Sequence, residues 1–284
     1  MNATAGVPLA GVIGWPVDHS LSPQLHGYWL EKYKIKGAYV PLAVPSHELE
    51  QALRTLPGRG FRGANVTVPH KEKAIKVVDQ VDASAQRIGA VNTIFVHSDN
   101  TLEGRNTDGY GFLQSLREER RNWQASEGPI GIMGAGGAVR AICVALQDAG
   151  APEIRIINRT FSRAVTIAEE FGEPVIPVLW KDRHEALDGL SLLVNGTSLG
   201  MRGKPPLELK LCALPQTALV TDIVYSPLET HLLRTARLRG NPTVDGLGML
   251  LHQARPGFEF WFGRKPEVSA ELRQFILAAV QNSG

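Results

Sequence analysis

The chain has 284 residues, long enough for two folded domains at roughly 100–200 residues each. Hydrophobic residues make up 43% and charged residues 20%, which excludes a disordered or collagen-like chain. The 30 Lys and Arg against 28 Asp and Glu leave a formal charge of +2, too even a balance for nonspecific capture of nucleic acid or an anionic membrane. Two cysteines, Cys143 and Cys212, are too few for a disulfide framework and lack the paired spacing of a zinc site. No Lys or Arg precedes Lys32, and no apolar run approaches the roughly 18 residues that span a membrane. A cytoplasmic protein is expected.

Short apolar runs alternate with segments of helical period. Leu9 to Gly14 reads as a strand, Ser22 to Lys34 as a helix, Ala38 to Val44 as a strand and Ser46 to Leu56 as a helix. This alternation predicts a parallel α/β sheet. Another strand ends near Val68, followed by Pro69, a helix from Lys71 to Val78, a strand from Ala90 to Val96 and a short strand leading to Asn106. A helix from Gly109 to Arg121 and a polar stretch, Asn122 to Gly128, lead into a second α/β unit. Its predicted strands are Ile130 to Met133, Glu153 to Ile157, Val175 to Val178, Ser191 to Asn195 and Leu219 to Ile223. From Gly246 onward two helical segments, broken near Gly263 to Pro266, are expected to return to the first domain. The expected fold is therefore two-domain α/β. A parallel-type substrate domain spans 1–107, a Rossmann-like doubly wound dinucleotide-binding domain spans 108–245, and C-terminal helices span 246–284.

Ile130 to Ala149 reads as strand, glycine loop, helix, with the loop Gly134-Ala-Gly-Gly-Ala138 between them. Glycines let the backbone turn sharply and approach a pyrophosphate, whose charge is stabilised by free N–H groups at the helix start. The third small position of the dinucleotide pattern falls on Val139, although Ala138 beside it is small. The loop alone is equally consistent with an ordinary tight turn. At the end of the next strand Asn158 stands where a binder of NAD usually places Asp or Glu, followed by Arg159, Thr160 and Arg163. A neutral Asn does not repel a 2′-phosphate and a guanidinium offers it charge-assisted hydrogen bonds, so NADP is favoured over NAD. The alternative, a solvated helix start, is weaker because cations there oppose the helix dipole.

The first domain places polar residues at predicted strand ends, where α/β sheets bind ligands. Ser20 and Ser22 follow the first strand; Ser22 before Pro23 also has the form of a helix N-cap. Thr67 and Lys71 follow the third strand, Asn92 interrupts an apolar run, and Asp108 stands at the interdomain junction, where it equally suits a helix cap. Spacing alone does not bring Lys71, Asn92 and Asp108 together. His19, His26 and His70 fall on different elements without ligand spacing, so no metal is expected.

Taken together, these motifs resemble the shikimate dehydrogenase family over nearly the whole chain. They are Gly14-Trp-Pro-Val-Asp-His-Ser-Leu-Ser-Pro23, Gly63-Ala-Asn-Val-Thr-Val-Pro-His-Lys71, Gly89-Ala-Val-Asn-Thr93 and Asn106-Thr-Asp108 in the first half. The second half adds the glycine loop, Asn158-Arg-Thr160, Asn195-Gly-Thr-Ser-Leu-Gly-Met201, Asp222-Ile-Val-Tyr-Ser-Pro227, and Asp245-Gly-Leu-Gly-Met249 followed by Gln253. Gly27 departs from the Asn often found after the histidine here.

The resemblance implies NADP-dependent reduction of 3-dehydroshikimate to shikimate, a step toward chorismate and the aromatic amino acids. It assigns the substrate carboxylate to Ser20, Ser22 and Tyr225, ring hydroxyls to Thr67, Asn92 and Gln253, and catalysis to Lys71 and Asp108. Lys71 is read as the acid/base residue and Asp108 as its orienting partner, with a role swap or a shared proton left open. Gly134, Ala135, Gly136, Gly137, Ala138, Asn158, Arg159, Thr160 and Arg163 would hold NADP, and Ile223 and Gly246 would line its nicotinamide pocket. The expected partner is a small molecule, with the two halves closing on it and a homodimer as the admissible assembly. Competing readings are a quinate/shikimate or aminoshikimate dehydrogenase, and a noncatalytic sensor that binds shikimate and NADP; the presence of both Lys71 and Asp108 argues against the sensor.

Overall fold

The structure, a computed structural model, describes residues 6–282. In chain order it contains β1 (Leu9–Gly14), α1 (Ser22–Lys32), β2 (Ala38–Ala43), α2 (Leu49–Thr55), β3 (Phe61–Val66), α3 (Lys71–Ala74), β4 (Gln80–Val81), α4 (Ala83–Ile88), β5 (Thr93–Val96) and β6 (Leu102–Arg105). Next come α5 (Asp108–Glu119), β7 (Ile130–Met133), α6 (Gly137–Asp148), β8 (Ile154–Asn158), α7 (Phe161–Phe171), β9 (Val175–Leu179), β10 (Leu192–Asn195) and β11 (Leu219–Asp222). The remainder is α8 (His231–Leu238), β12 (Thr243–Val244), α9 (Leu247–Gln253), α10 (Arg255–Phe262) and α11 (Ala270–Asn282). Among the described residues no helix is long and apolar enough to cross a membrane.

Two compact units result. The first comprises residues through Thr107 together with those from Gln253 onward, and the second runs from Asp108 to His252. Residues 246–252, grouped with the C-terminal helices on sequence, fall in the second unit.

The first unit is built on a six-stranded sheet of order β2-β1-β3-β5-β6-β4. β1 pairs in parallel with β2 and β3, but β5 runs antiparallel to both β3 and β6, so the parallel-type sheet is in detail a mixed one. The reason is local. Only residues 97–101 join β5 to β6, too few for the crossover that parallel neighbours need, so the pair closes as a hairpin. The predicted helix from Lys71 to Val78 is cut to the single turn of α3, because Val77 and Val78 are β-branched and the chain must reach β4. Asp82 caps α4 by accepting the Ala85 N–H at 2.7 Å, and Gly89 ends that helix with a φ of 75°.

Within this unit the C-terminal helices seal one face of the sheet. The Trp261 indole donates to the Ile94 carbonyl at 3.0 Å. It passes over Gly63, where a Cβ would lie 2.2 Å from the indole nitrogen. The Trp29 indole donates to the Glu267 carbonyl at 2.9 Å, and Leu272, Ile276 and Val280 of α11 are buried.

The second unit holds a six-stranded sheet of order β12-β11-β10-β7-β8-β9, every pair parallel. β7 and β8 are fully covered or nearly so, and their near-continuous apolar runs reflect burial on both faces. The chain winds from β7 outward through β8 and β9, then returns to β10 and winds the other way. The strand order therefore reverses between β7 and β10, where doubly wound sheets open a ligand crevice at the strands' carboxyl ends.

Candidate active site

In the first unit one edge of the sheet gathers most of the polar residues singled out on sequence. The carboxyl ends of β1 and β3 are tied together by the Thr67 N–H to the Ile13 carbonyl (2.9 Å) and the Trp15 N–H to the Val68 carbonyl (3.2 Å). Gly14 permits this approach, since a Cβ there would lie 2.6 Å from the Thr67 methyl. The loop after β1 carries Ser20 and Ser22, and the segment after β3 carries Thr67 and Lys71. Because β5 is antiparallel, it is its start, not its end, that reaches this edge, with Asn65 of β3 facing Thr93 in register. β6 ends here too, leading into Asn106 and Thr107.

Ser22 is the first residue of α1 and not its cap; the cap residue, Leu21, makes no side-chain capping bond. It is Ser20 whose hydroxyl closes the turn, accepting the Ser22 N–H at 3.3 Å. The helix-cap explanation of Ser22 therefore falls away. Asn92 is 2% exposed. Its side-chain oxygen accepts the Thr107 N–H at 2.8 Å and its nitrogen donates to the Thr107 hydroxyl at 3.1 Å. The residue immediately before Asp108 is thereby fixed. Beside Lys71, His70 is buried and donates from Nε2 to the Val44 carbonyl at 2.7 Å, and burial lowers its pKa, which keeps the ring neutral.

Asp108 opens α5 in the second unit and is 5% exposed, so its carboxylate sits at the positive end of that helix. Gln253 ends α9. Among the described residues no three His, Cys, Asp or Glu side chains gather as a metal site requires.

The glycine loop follows β7 at the reversal point. Gly134 has a φ of 111°, a conformation that side chains rarely adopt. Gly136 precedes α6 and offers no side-chain cap, so the first N–H groups of a three-turn helix are left to another partner. Cβ atoms built at Gly136 or Gly137 would meet nothing within 4 Å, which leaves open space where a phosphate group fits. Val139, the irregular position of the pattern, is fully buried and packs on Gly196, where a Cβ would lie 2.4 Å from its methyl. The close helix approach is thus supplied by the opposite strand's glycine.

At the end of β8 the Asn158 side chain donates to the Thr160 carbonyl at 2.8 Å and shapes the turn, leaving Arg159, Thr160 and Arg163 exposed. This arrangement, neutral at the ribose position and cationic beside it, fits a dinucleotide carrying a 2′-phosphate.

Sequence reasoning missed how the far side of the crevice is held. Asp222 is fully buried and accepts from Asn195 Nδ2 (3.0 Å), the Thr230 hydroxyl (2.7 Å) and the Val224 N–H (3.0 Å). Burial outweighs these donors and pushes its pKa above the usual carboxylate range. The Asn195 carbonyl also accepts the Ile223 N–H at 3.0 Å. These bonds pin the turn that carries Ile223 and Tyr225. Gly246 presses directly on that turn, since a Cβ there would lie 2.5 Å from the Ile223 carbonyl group. The only signal in the sequence was a polar residue at the end of each of two apolar strands.

A mixed sheet with a polar edge and an all-parallel sheet with a glycine loop at its reversal point define a two-unit protein of the Rossmann-like α/β class. Residues 12–94 match the family described as the shikimate dehydrogenase substrate binding domain, 117–200 match shikimate / quinate 5-dehydrogenase, and 246–270 match the shikimate 5′-dehydrogenase C-terminal domain. The chain belongs to the shikimate dehydrogenase family. It is 59% identical to the shikimate dehydrogenase (NADP(+)) of Paramagnetospirillum magneticum over 95% of this chain and 98% of that one. Among solved structures, the shikimate 5-dehydrogenase of Thermus thermophilus in complex with NADP(H) and shikimate has a TM-score of 0.83 at 36% identity, covering 97% of this chain and 99% of that one. The quinate dehydrogenase of Corynebacterium glutamicum in complex with NAD has a TM-score of 0.89 at 29% identity, covering 96% and 99%.

Proposed function

We propose that this chain catalyses the reversible, NADP-dependent reduction of 3-dehydroshikimate to shikimate, on the route to chorismate and the aromatic amino acids. The observation that carries the reading is the polar edge of the first sheet, where Asn92 binds Thr107 and so fixes the chain just before Asp108, in a protein 59% identical to a relative of that activity. The first unit serves as the substrate domain and the second as the NADP domain. Ser20, Ser22 and Tyr225 receive the carboxylate, and Thr67, Asn92 and Gln253 receive ring hydroxyls. Gly134, Ala135, Gly136, Gly137 and Ala138 cradle the pyrophosphate, Asn158, Arg159, Thr160 and Arg163 take the adenosine end, and Ile223 and Gly246 border the nicotinamide.

When bound, NADPH supplies the hydride that reduces the ring ketone. Lys71 donates the proton that the resulting alkoxide oxygen requires, and recovers it in the reverse direction. Asp108 orients the ammonium and balances its charge. The substrate is a small molecule and the location cytoplasmic; a homodimer is the admissible assembly, which sedimentation would check directly. NADPH formation from shikimate and NADP tests the activity; binding of both ligands with no NADPH formed would make the chain a sensor instead.

Two further outcomes follow. Ser22→Ala should raise KM for shikimate more than it lowers kcat, because the carboxylate does not change charge during hydride transfer. The melting temperature should fall by no more than one net hydrogen bond accounts for, about 0.5–1.5 kcal/mol, since Ser22 caps nothing and its hydroxyl neighbours only Tyr39 among the contacts described. A fall in stability with unchanged kinetics would remove the carboxylate role. Arg159→Ala should weaken NADP by about 10- to 100-fold while barely touching NAD, the effect of one charge-assisted hydrogen bond of about 1.5–3 kcal/mol. Equal losses for both cofactors would place the 2′-phosphate elsewhere.

A further inference from the structure

Tyr39 lies on β2, is 8% exposed, and has no part in the reading above. Its phenol donates to Asn65 Oδ1 at 2.7 Å, with the Ser22 hydroxyl as a second hydrogen-bonding neighbour. Asn65 Nδ2 donates in turn to the Thr93 hydroxyl at 3.1 Å and the Asn92 carbonyl at 3.2 Å. The Thr93 hydroxyl donates to Asn92 Oδ1 at 2.9 Å, the same oxygen that receives the Thr107 N–H.

The orientations of the two amides follow from two backbone groups that cannot be reversed. A backbone N–H only donates, so the Thr107 N–H makes the facing atom of Asn92 an oxygen. The Asn92 carbonyl only accepts, so the Asn65 nitrogen faces it and the Thr93 hydroxyl, and the Asn65 oxygen faces Tyr39. Tyr39 must then be the donor. Burial raises its pKa, so the phenol keeps that proton. Its ring is held by His26, stacked at 3.9 Å with an interplanar angle of 1°. Burial lowers the His26 pKa to about 3, so the stack is between neutral rings.

We propose that Tyr39 is a positioning residue for the reaction, acting through Asn65 and Thr93 to hold the Asn92 carboxamide in the orientation that meets the substrate. The proposal rests on the role given to Asn92 above. Without the phenol proton, Asn65 Oδ1 loses its phenol donor, and the amide that holds the Thr93 hydroxyl is fixed at one end only. The hold that Asn65 keeps on Thr93, and through it on the Asn92 oxygen, is thereby loosened.

Tyr39→Phe keeps the ring and its stack on His26 while removing the proton. It should lower kcat/KM for shikimate by about 5- to 20-fold, the effect of one buried hydrogen bond, and leave KM for NADP unchanged. Thr93→Val breaks the same chain farther along, so the double variant should be no worse than the poorer single one. Multiplying losses, or a kcat/KM for Tyr39→Phe equal to that of the unaltered protein, would overturn the proposal. If Tyr39→Phe fails to fold, Asn65→Asp, which cannot donate to Thr93, should show the same loss with Tyr39 in place, and unchanged kinetics in that variant would equally overturn it. Asn92→Ala separates the two readings: unchanged kcat/KM there removes the substrate role of Asn92 itself, whereas a large loss there with none in Tyr39→Phe removes only the role of Tyr39.

Discussion

Lys71→Ala is expected to lower kcat for shikimate oxidation by about 10²–10⁴-fold, the usual range for a general acid or base, while shikimate binding measured by calorimetry stays within a few-fold. Lys71 opens α3 at the polar edge, and its carbonyl accepts the Val91 N–H at 2.9 Å. That bond is to the backbone and survives the substitution, so a loss of turnover reads the ammonium and not the fold. Asp108→Ala should fall in the same direction. Because the two residues act on one proton, the double variant should lose far less than the product of the single losses. Near-normal turnover in Lys71→Ala would move proton transfer to another group.

Asp222→Ala should be the most damaging change to stability outside the hydrophobic core. It orphans the Thr230 hydroxyl and the Val224 N–H and removes one acceptor from Asn195, all buried. At roughly 1–3 kcal/mol for each unsatisfied group, a loss of about 3 kcal/mol or more is expected, or roughly 6–12 °C in melting temperature for a protein of this size. The released turn carries Ile223 and Tyr225, so KM for NADP should rise as well. The pH dependence has a definite sign. The folded-state pKa of Asp222 lies above its unfolded value, so the unfolded chain surrenders this proton first as pH rises. Its contribution is therefore full below the unfolded value, and is lost as pH rises through the folded one. The stability difference between the unaltered protein and Asp222→Ala should shrink as pH rises above the ordinary carboxylate value of about 4. A thermal shift below about 2 °C, or a difference that widens with pH, would contradict this account of the turn.

The strands of the second sheet were legible because parallel strands covered on both faces read as unbroken apolar runs, and because a glycine loop marks where the first of them ends. Two-residue strands such as β4 and β12 carry no periodicity and were invisible. In the first unit the residues of the polar edge were legible, but their meeting was not. An all-parallel sheet would have sent the start of β5, and with it Asn92, to the end opposite Thr67 and Lys71. The short connection between β5 and β6 was the available sign of a hairpin, and it reverses that placement. Other details depend on contacts distant in sequence. Val139 departs from the glycine pattern, and the room it needs is supplied by Gly196, distant in sequence. Ser22 before Pro23 has the form of a cap in sequence, but it is Ser20 that closes the turn. Tyr39 reads from sequence as one more aromatic core residue, because only the paired β2, β1 and β3 carry its hydroxyl to Asn65.

The central claim is tested most directly by kcat/KM for shikimate and for quinate, each with NADP and with NAD, on the unaltered protein. With shikimate, the residues at the adenosine end predict a constant for NADP ahead of that for NAD by at least about 10-fold, the smallest effect expected of a single charge-assisted hydrogen bond. Comparable constants for the two cofactors, a preference for quinate, or no turnover with any pair would contradict it.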